Sequence, residues 1–364
     1  MPTMLIAGAS GLIGSATLDL MLERDGWEVV ALSRRRPETF SERPYRHLSV
    51  DLQDPDATRA AVADLGDVTH VVYAALYEKP GLMSGWTERD QMEVNRAMFC
   101  HLMEPLAAAA PLRHVSLMQG TKAYGAHVHP IPTPARERAP RDPHENFYWL
   151  QEDRLRELAA EHGFAFTILR PQLVLGGAIG AAMNVVPVIG AYAAIRAERG
   201  EPFSYPGGAS YVWEAVDARL CAQALAWAAE SPAAAGETFN LTNGDVFEWR
   251  NLWPAIADAL GVEPGPDEPR SLGAWMPEQA DAWARIAGRH GLREPRLAAL
   301  MGESHHYADL CFNHGADAPP DPRFVSTIKI RQAGFGACFD TEDTLRFWIG
   351  ALQRRRLLPQ PAAS

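Results

Sequence analysis

Along the first 170 positions, short apolar runs alternate with stretches in which apolar residues recur every three or four positions. Residues 4–7, 28–32, 47–50, 69–74, 113–118 and 165–169 predict six strands. Residues 15–23, 89–109 and 152–162 predict helices between them. Strands that alternate with helices in this way imply an α/β chain with a doubly wound parallel sheet covered on both faces.

The pattern changes after residue 175. A strand-like run at 237–241 and a helix at 252–260 suggest a smaller lobe, and Pro and Gly mark loops at 261–269 and 316–322. The expected organisation is a nucleotide-binding domain over 1–175, to which about 208–245 returns. A smaller mixed α/β substrate lobe then takes up most of 176–364. The apolar stretch 173–195 holds Asn184 and Pro187 and several glycines, so it predicts a buried strand end, loop and helix rather than a membrane span. The tail from Arg354 is basic, then rich in Pro and Ala, and is expected to fray.

Composition narrows the partners. A net charge of -11 argues against nucleic acid and against anionic membrane surfaces. Cys100, Cys221, Cys311 and Cys338 form no CxxC pair, which fits a reduced, cytoplasmic compartment without a disulfide framework. The start of the chain shows no basic segment followed by a cleavage site, so no export signal is expected.

The first strand ends in Gly8-Ala9-Ser10-Gly11-Leu12-Ile13-Gly14. Gly8 allows a tight turn, Gly11 lets the backbone approach a pyrophosphate, and Gly14 lets the following helix pack close. The helix start then offers free N–H groups and a positive dipole end to a diphosphate. A glycine pattern between a strand and a helix at this position predicts a Rossmann-type dinucleotide site. The second strand ends in Ser33-Arg34-Arg35, where an NAD-specific site carries an acidic residue for the ribose hydroxyl. Arg34 and Arg35 can instead grip a 2′-phosphate through forked hydrogen bonds, so the expected cofactor is NADPH/NADP+. Asp51 and Leu52 would flank the adenine. Ala74, Met118, Pro171 and Val174, at later strand ends, complete the expected cofactor contacts.

The reactive groups depart from the usual short-chain dehydrogenase set, in which a Tyr and a Lys stand four residues apart on a helix and a Ser on strand five assists. Tyr148 opens the helix after strand five, but Glu152 stands four residues on, and Gly120 occupies the serine position. A lysine does occur just past the end of strand five, in Gly120-Thr121-Lys122-Ala123-Tyr124. Ligands bind beyond the C-terminal strand ends of such sheets, which places Lys122 near the cofactor and the Tyr hydroxyl.

With these motifs the chain resembles the progesterone 5β-reductase/iridoid synthase family of atypical extended short-chain dehydrogenases. The resemblance rests on residues 8–14, Ser33-Arg34-Arg35, the segments 120–124, 145–153 and 170–176, and the runs 183–195, 203–208 and 328–341. It implies Tyr148 and Lys122 as the catalytic pair of an NADPH-dependent reductase of activated C=C bonds. Hydride would go to the β-carbon of an enone or enal while Tyr148 stabilises the enolate oxygen. The implied partner is a small hydrophobic carbonyl compound, and a homodimer is a common assembly of such enzymes. Phe147 and Trp149, with Tyr205 and Trp213, would line the substrate pocket. Trp149 replaces the family's second Tyr, and the segment 209–213 is the chain's own, so the resemblance leaves open whether the family's steroid and monoterpenoid substrates apply.

Two other readings stay open: a carbonyl reductase using the same Tyr/Lys pair, and a regulatory protein that senses NADP(H) without turnover. A sugar-nucleotide epimerase would need an acidic residue after strand two and the Ser/Tyr-xxx-Lys set. Ser304-His305-His306 with Cys311 and His314 matches no standard zinc spacing, and no metal is expected. Tyr124 is the rival tyrosine. Asp217 reads as a helix N-cap, and Trp249, Trp253, Trp275 and Trp283 read as packing.

Overall fold

A computed structural model describes residues 1–361. The strands are β1 Thr3–Ala7, β2 Glu28–Leu32, β3 Arg46–Leu48, β4 His70–Tyr73, β5 His114–Met118, β6 Ala165–Pro171, β7 Leu173–Leu175, β8 Val212–Trp213, β9 Ala215–Asp217, β10 Glu237–Leu241 and β11 Phe247–Glu248. The helices are α1 Leu12–Glu23, α2 Pro55–Val62, α3 Arg89–Ala109, α4 Phe147–His162, α5 Val185–Glu198, α6 Ala218–Glu230, α7 Trp249–Leu260, α8 Leu272–Trp275, α9 Ala280–His290, α10 Leu297–Met301, α11 Ser304–Cys311, α12 Ile328–Gln332 and α13 Thr341–Arg354.

Seven strands form one parallel sheet in the order β10-β6-β5-β4-β1-β2-β3. Successive side chains of β1 serve opposite faces, as strand geometry requires. Leu5 and Ala7 join the core under α2, α3 and α4, whereas Met4 and Ile6 join the core under α1 and α6. Burial on both faces explains why these strands read as apolar runs without alternation. The chain winds outward from β1 in one direction to β3 and in the other to β10. The loops after β1 and β4 therefore diverge and open a crevice at the C-terminal strand ends.

The strand-like run at 237–241, suggested for the smaller lobe, is the seventh strand of the main sheet. It pairs with β6 from Glu237↔Thr167 to Leu241↔Pro171. The lobe itself is largely helical. α5, α7, α9 and α13 enclose a core that includes Tyr192, Phe203, Trp249, Trp253 and Trp283. Two short ladders, β7 with β9 and β8 with β11, lie outside the main sheet.

Asp217 ties β9, α6 and α13 together. It is fully buried, caps α6 by accepting from Arg219 N at 2.7 Å, and accepts from Trp348 Nε1 of α13 at 3.1 Å. The tail does not fray over its described part: Leu357 and Leu358 are buried, with Leu358 filling the space beside Gly190. Residues 362–364 lie outside the described residues. Among the described residues, no helix is long and apolar enough to cross a membrane, and all four cysteines are free.

Candidate active site

One cleft of about 580 Å³ runs along the C-terminal edge of the sheet and under the lobe. Its nucleotide end is built from the first βα turn. Gly8 has a φ of +85°, and a β-carbon there would lie 2.6 Å from Ala75 N. At Gly14 a β-carbon would meet Gly8 O at 2.2 Å, so α1 sits against the turn only because both residues lack side chains. Gly14 accordingly packs behind the cleft, while Gly8, Ser10, Gly11, Leu12 and Ile13 line it. No side chain caps α1. Its first N–H groups thus face the cleft without protein partners, a donor set suited to a diphosphate.

Ser33, Arg34, Arg35, Asp51 and Leu52 line the same end, and Ala74, Met118, Pro171 and Val174 line the middle. The turn that presents the arginines is pinned: Ser33 Oγ donates to Arg35 O at 2.7 Å, and Ser49 Oγ donates to Arg34 O at 3.0 Å. Arg34 and Arg35 are exposed. Arg36 instead turns back over the Tyr45 ring, 4.7 Å from its centroid. Two exposed guanidiniums beside a helix start without a side-chain cap fit an anionic dinucleotide.

Tyr148, Lys122 and Phe147 line the other end. Asn146, buried and not foreseen, organises them: its Oδ1 caps α4 by accepting from Tyr148 N at 3.0 Å, and its Nδ2 donates to Lys122 O at 3.0 Å. An Asn just before an apolar helix start was the available signal. His144, bonded to Asp142 at 2.6 Å, stands 3.1 Å from Asn146 Nδ2 and backs it. Burial raises the Tyr148 phenol above its ordinary value; the Glu78 carboxylate adds to this and the Arg170 guanidinium opposes it. Tyr148 is therefore a neutral donor. Burial lowers the Lys122 ammonium, and Glu78 counteracts it.

Glu152, where an ordinary lysine would stand, lies behind the site. It is bound by Arg156 at 2.9 Å and by Gln119 Nε2 at 3.0 Å, and Arg170 approaches to 3.6 Å. The rival Tyr124 points elsewhere: its hydroxyl donates to Asn240 Oδ1 at 2.7 Å, away from the cleft.

Three expected pocket residues are not brought to the cleft. Trp149 faces the far side of α4, where the guanidiniums of Arg141 and Arg170 cover its ring at 4.5 and 5.5 Å. Tyr205 packs against Trp253 in the lobe core and donates to Phe312 O at 3.2 Å. Trp213 donates to Cys311 O at 3.1 Å. All three find apolar cover and, for Tyr205 and Trp213, a backbone acceptor in the protein interior. The cleft wall opposite Tyr148 comes instead from Met183 and from Tyr307 and Glu303 at α11. Tyr307 belongs to the His-rich stretch considered above for metal binding. Among the described residues, no group of three or more His, Cys, Asp or Glu is placed to hold a metal ion.

Residues 4–242 match the NAD dependent epimerase/dehydratase family. The 3-oxo-Δ4,5-steroid 5β-reductase of Arabidopsis thaliana is 32% identical over 98% of this chain and 92% of its own length. The (S)-8-oxocitronellyl enol synthase of Antirrhinum majus is 31% identical over 97% and 91%. Among solved structures, UDP-glucose 4-epimerase of Thermus thermophilus in complex with NAD superposes with a TM-score of 0.64 at 19% identity, covering 96% of this chain and 99% of that one. UDP-glucose 4-epimerase of Thermotoga maritima gives 0.66 at 17% identity, covering 97% and 99%. At such identities the structural likeness concerns the fold.

Proposed function

From the premise that the chain belongs to the NAD dependent epimerase/dehydratase family, and within it to the progesterone 5β-reductase/iridoid synthase-like extended short-chain dehydrogenases, we propose that it is an NADPH-dependent reductase of activated C=C bonds. As a member of that family it is a nicotinamide-dinucleotide-dependent oxidoreductase. The proposed substrate is a small hydrophobic α,β-unsaturated carbonyl compound.

The carrying observation is a buried Tyr148 lining the inner end of a dinucleotide cleft, with Gly120 where a second hydroxyl donor would stand. When bound, the nicotinamide supplies a hydride. Tyr148 holds its proton and donates a hydrogen bond to the substrate carbonyl oxygen, which takes up charge as an enolate forms; the enolate then takes a proton from solvent at its α-carbon to give the saturated carbonyl. A single strong donor at such an oxygen is worth about 3 kcal/mol of barrier. Lys122 supports the Tyr148 end of the cleft with positive charge, and Asn146 keeps both backbones in register. Phe147 and Met183 offer apolar walls that exclude water. Arg34 and Arg35 supply the charge for a 2′-phosphate, which supports NADPH over NADH.

The reading is tested by following NADPH absorbance with a panel of enones and enals beside saturated ketones. Saturated carbonyl products support it. Allylic alcohols, or turnover of saturated ketones alone, would assign carbonyl reduction instead. Cofactor binding without turnover of either panel would favour the sensing role.

A further inference from the structure

Glu78 is a buried carboxylate that the reaction as drawn does not use. Its side chain is 3% exposed, and its Oε1 lies 3.3 Å from Lys122 Nζ. The Lys122 ammonium also sits 3.8 Å from the centroid of the Trp86 ring. The loop carrying Glu78 is clamped on both sides by two buried amides of α3. Asn95 accepts from Tyr77 N and donates to Tyr77 O, both at 2.9 Å. Gln91 accepts from Lys79 N at 3.0 Å and donates through Nε2 to Glu78 Oε2 at 2.6 Å. Both the backbone and the carboxylate of Glu78 are thus held in place from outside the cleft.

We propose that Glu78 is a positioning residue for Lys122: its carboxylate fixes the ammonium over Trp86 and keeps it charged, while Tyr148 remains the neutral donor. The proposal rests on the reading of Tyr148 and Lys122 as the reducing pair. An unpaired ammonium in a desolvated site loses its proton, and an opposite charge within about 4–6 Å restores it. The other groups near the pair do not serve. His127, beyond Trp86, is pushed down to about 4 by burial and by the Lys122 charge, so it is neutral. Arg170 of β6 faces Tyr148 from behind and is bonded to Gln119. Glu78 is the carboxylate in contact with Lys122 among the described residues. Pairing also reduces the net positive field at Tyr148, which favours hydrogen-bond donation over phenolate formation.

The chain holds three lysines, Lys79, Lys122 and Lys329, so the test can read Lys122 directly. The full-length protein is labelled with ¹⁵N at lysine Nζ, titrated by NMR, and assigned with Lys122→Met. In Glu78→Gln, whose amide still accepts from Gln91, the Lys122 midpoint is expected to fall by about one pH unit or more. Glu78→Asp is expected to restore part of the shift. The alkaline limb of kcat/KM moves down with it in Glu78→Gln, while NADPH affinity stays within about threefold. An unmoved midpoint in Glu78→Gln overturns the proposal. A wild-type Lys122 already neutral at pH 7 also overturns it, and that result needs no variant to fold. A shifted midpoint in an enzyme that reduces no enone would retain the positioning role and reject the reducing reading.

Discussion

The hydroxyl of Tyr148 occupies the space that a side chain at Gly120 would need: a β-carbon built there lies 3.2 Å from Tyr148 Oη. Gly120 has φ -178° and ψ -170°, an extended backbone open to any residue. The tight contact, and not the backbone, is what favours glycine here. The missing serine and the placement of the tyrosine are coupled, because any side chain at position 120 would crowd the Tyr148 hydroxyl.

Gly120→Ala is accordingly expected to push Tyr148 by a few tenths of an ångström and to lower kcat/KM about tenfold or more. Binding of NADPH should hardly change. Steady-state kinetics beside a cofactor titration checks this, and an unaffected kcat/KM would remove Tyr148 from the reacting oxygen.

Arg34 and Arg35 face the cleft, whereas Arg36 is engaged with Tyr45. Replacing both with Ala is expected to lower the preference for NADPH over NADH about tenfold or more, the scale of a charged hydrogen bond of roughly 1.5–3 kcal/mol. Arg36→Ala is expected to leave the preference nearly intact. Comparing Kd values for the two cofactors across these variants decides it.

A pH effect on stability is expected at Glu214, which burial pushes up to about 7 despite the hydrogen bond it accepts from Val325 N at 2.8 Å. A folded carboxyl above its unfolded value of 4.5 binds its proton more tightly in the native state. Its contribution to stability is full below about pH 4.5 and is lost as pH rises to about 7. Glu214→Gln should therefore raise Tm at pH 8 relative to wild type and leave it unchanged near pH 4. Equal Tm differences at both pH values would refute the buried-carboxyl account.

Much of this was legible in the chain because it is local. The helix 89–109 and the strand 28–32 have the bounds expected from their apolar patterns. The turn at Gly8 and the cap at Asp217 follow from residue types whose backbone and hydrogen-bonding behaviour is fixed within a few positions. Long-range placement was not legible. Trp149, Tyr205 and Trp213 have the aromatic character of pocket residues, but which side of an element faces the cleft depends on partners on other elements, such as Arg170, Phe312 and Cys311. The strand 237–241 could be recognised as a strand, yet its place beside β6 is set by a crossover of some 65 residues. Glu78 gave no signal, since a lone Glu in a loop reads as solvated until Gln91 and Lys122 are seen to enclose it.

The central claim is that hydride reaches the β-carbon of an enone whose oxygen is held by Tyr148. The most direct measurement uses NADPH carrying deuterium at the transferable position, with cyclohexenone as substrate and NMR of the product. Deuterium at the β-carbon of a saturated ketone is the predicted result. Deuterium at the carbinol carbon of an allylic alcohol would contradict the account and make the protein a carbonyl reductase.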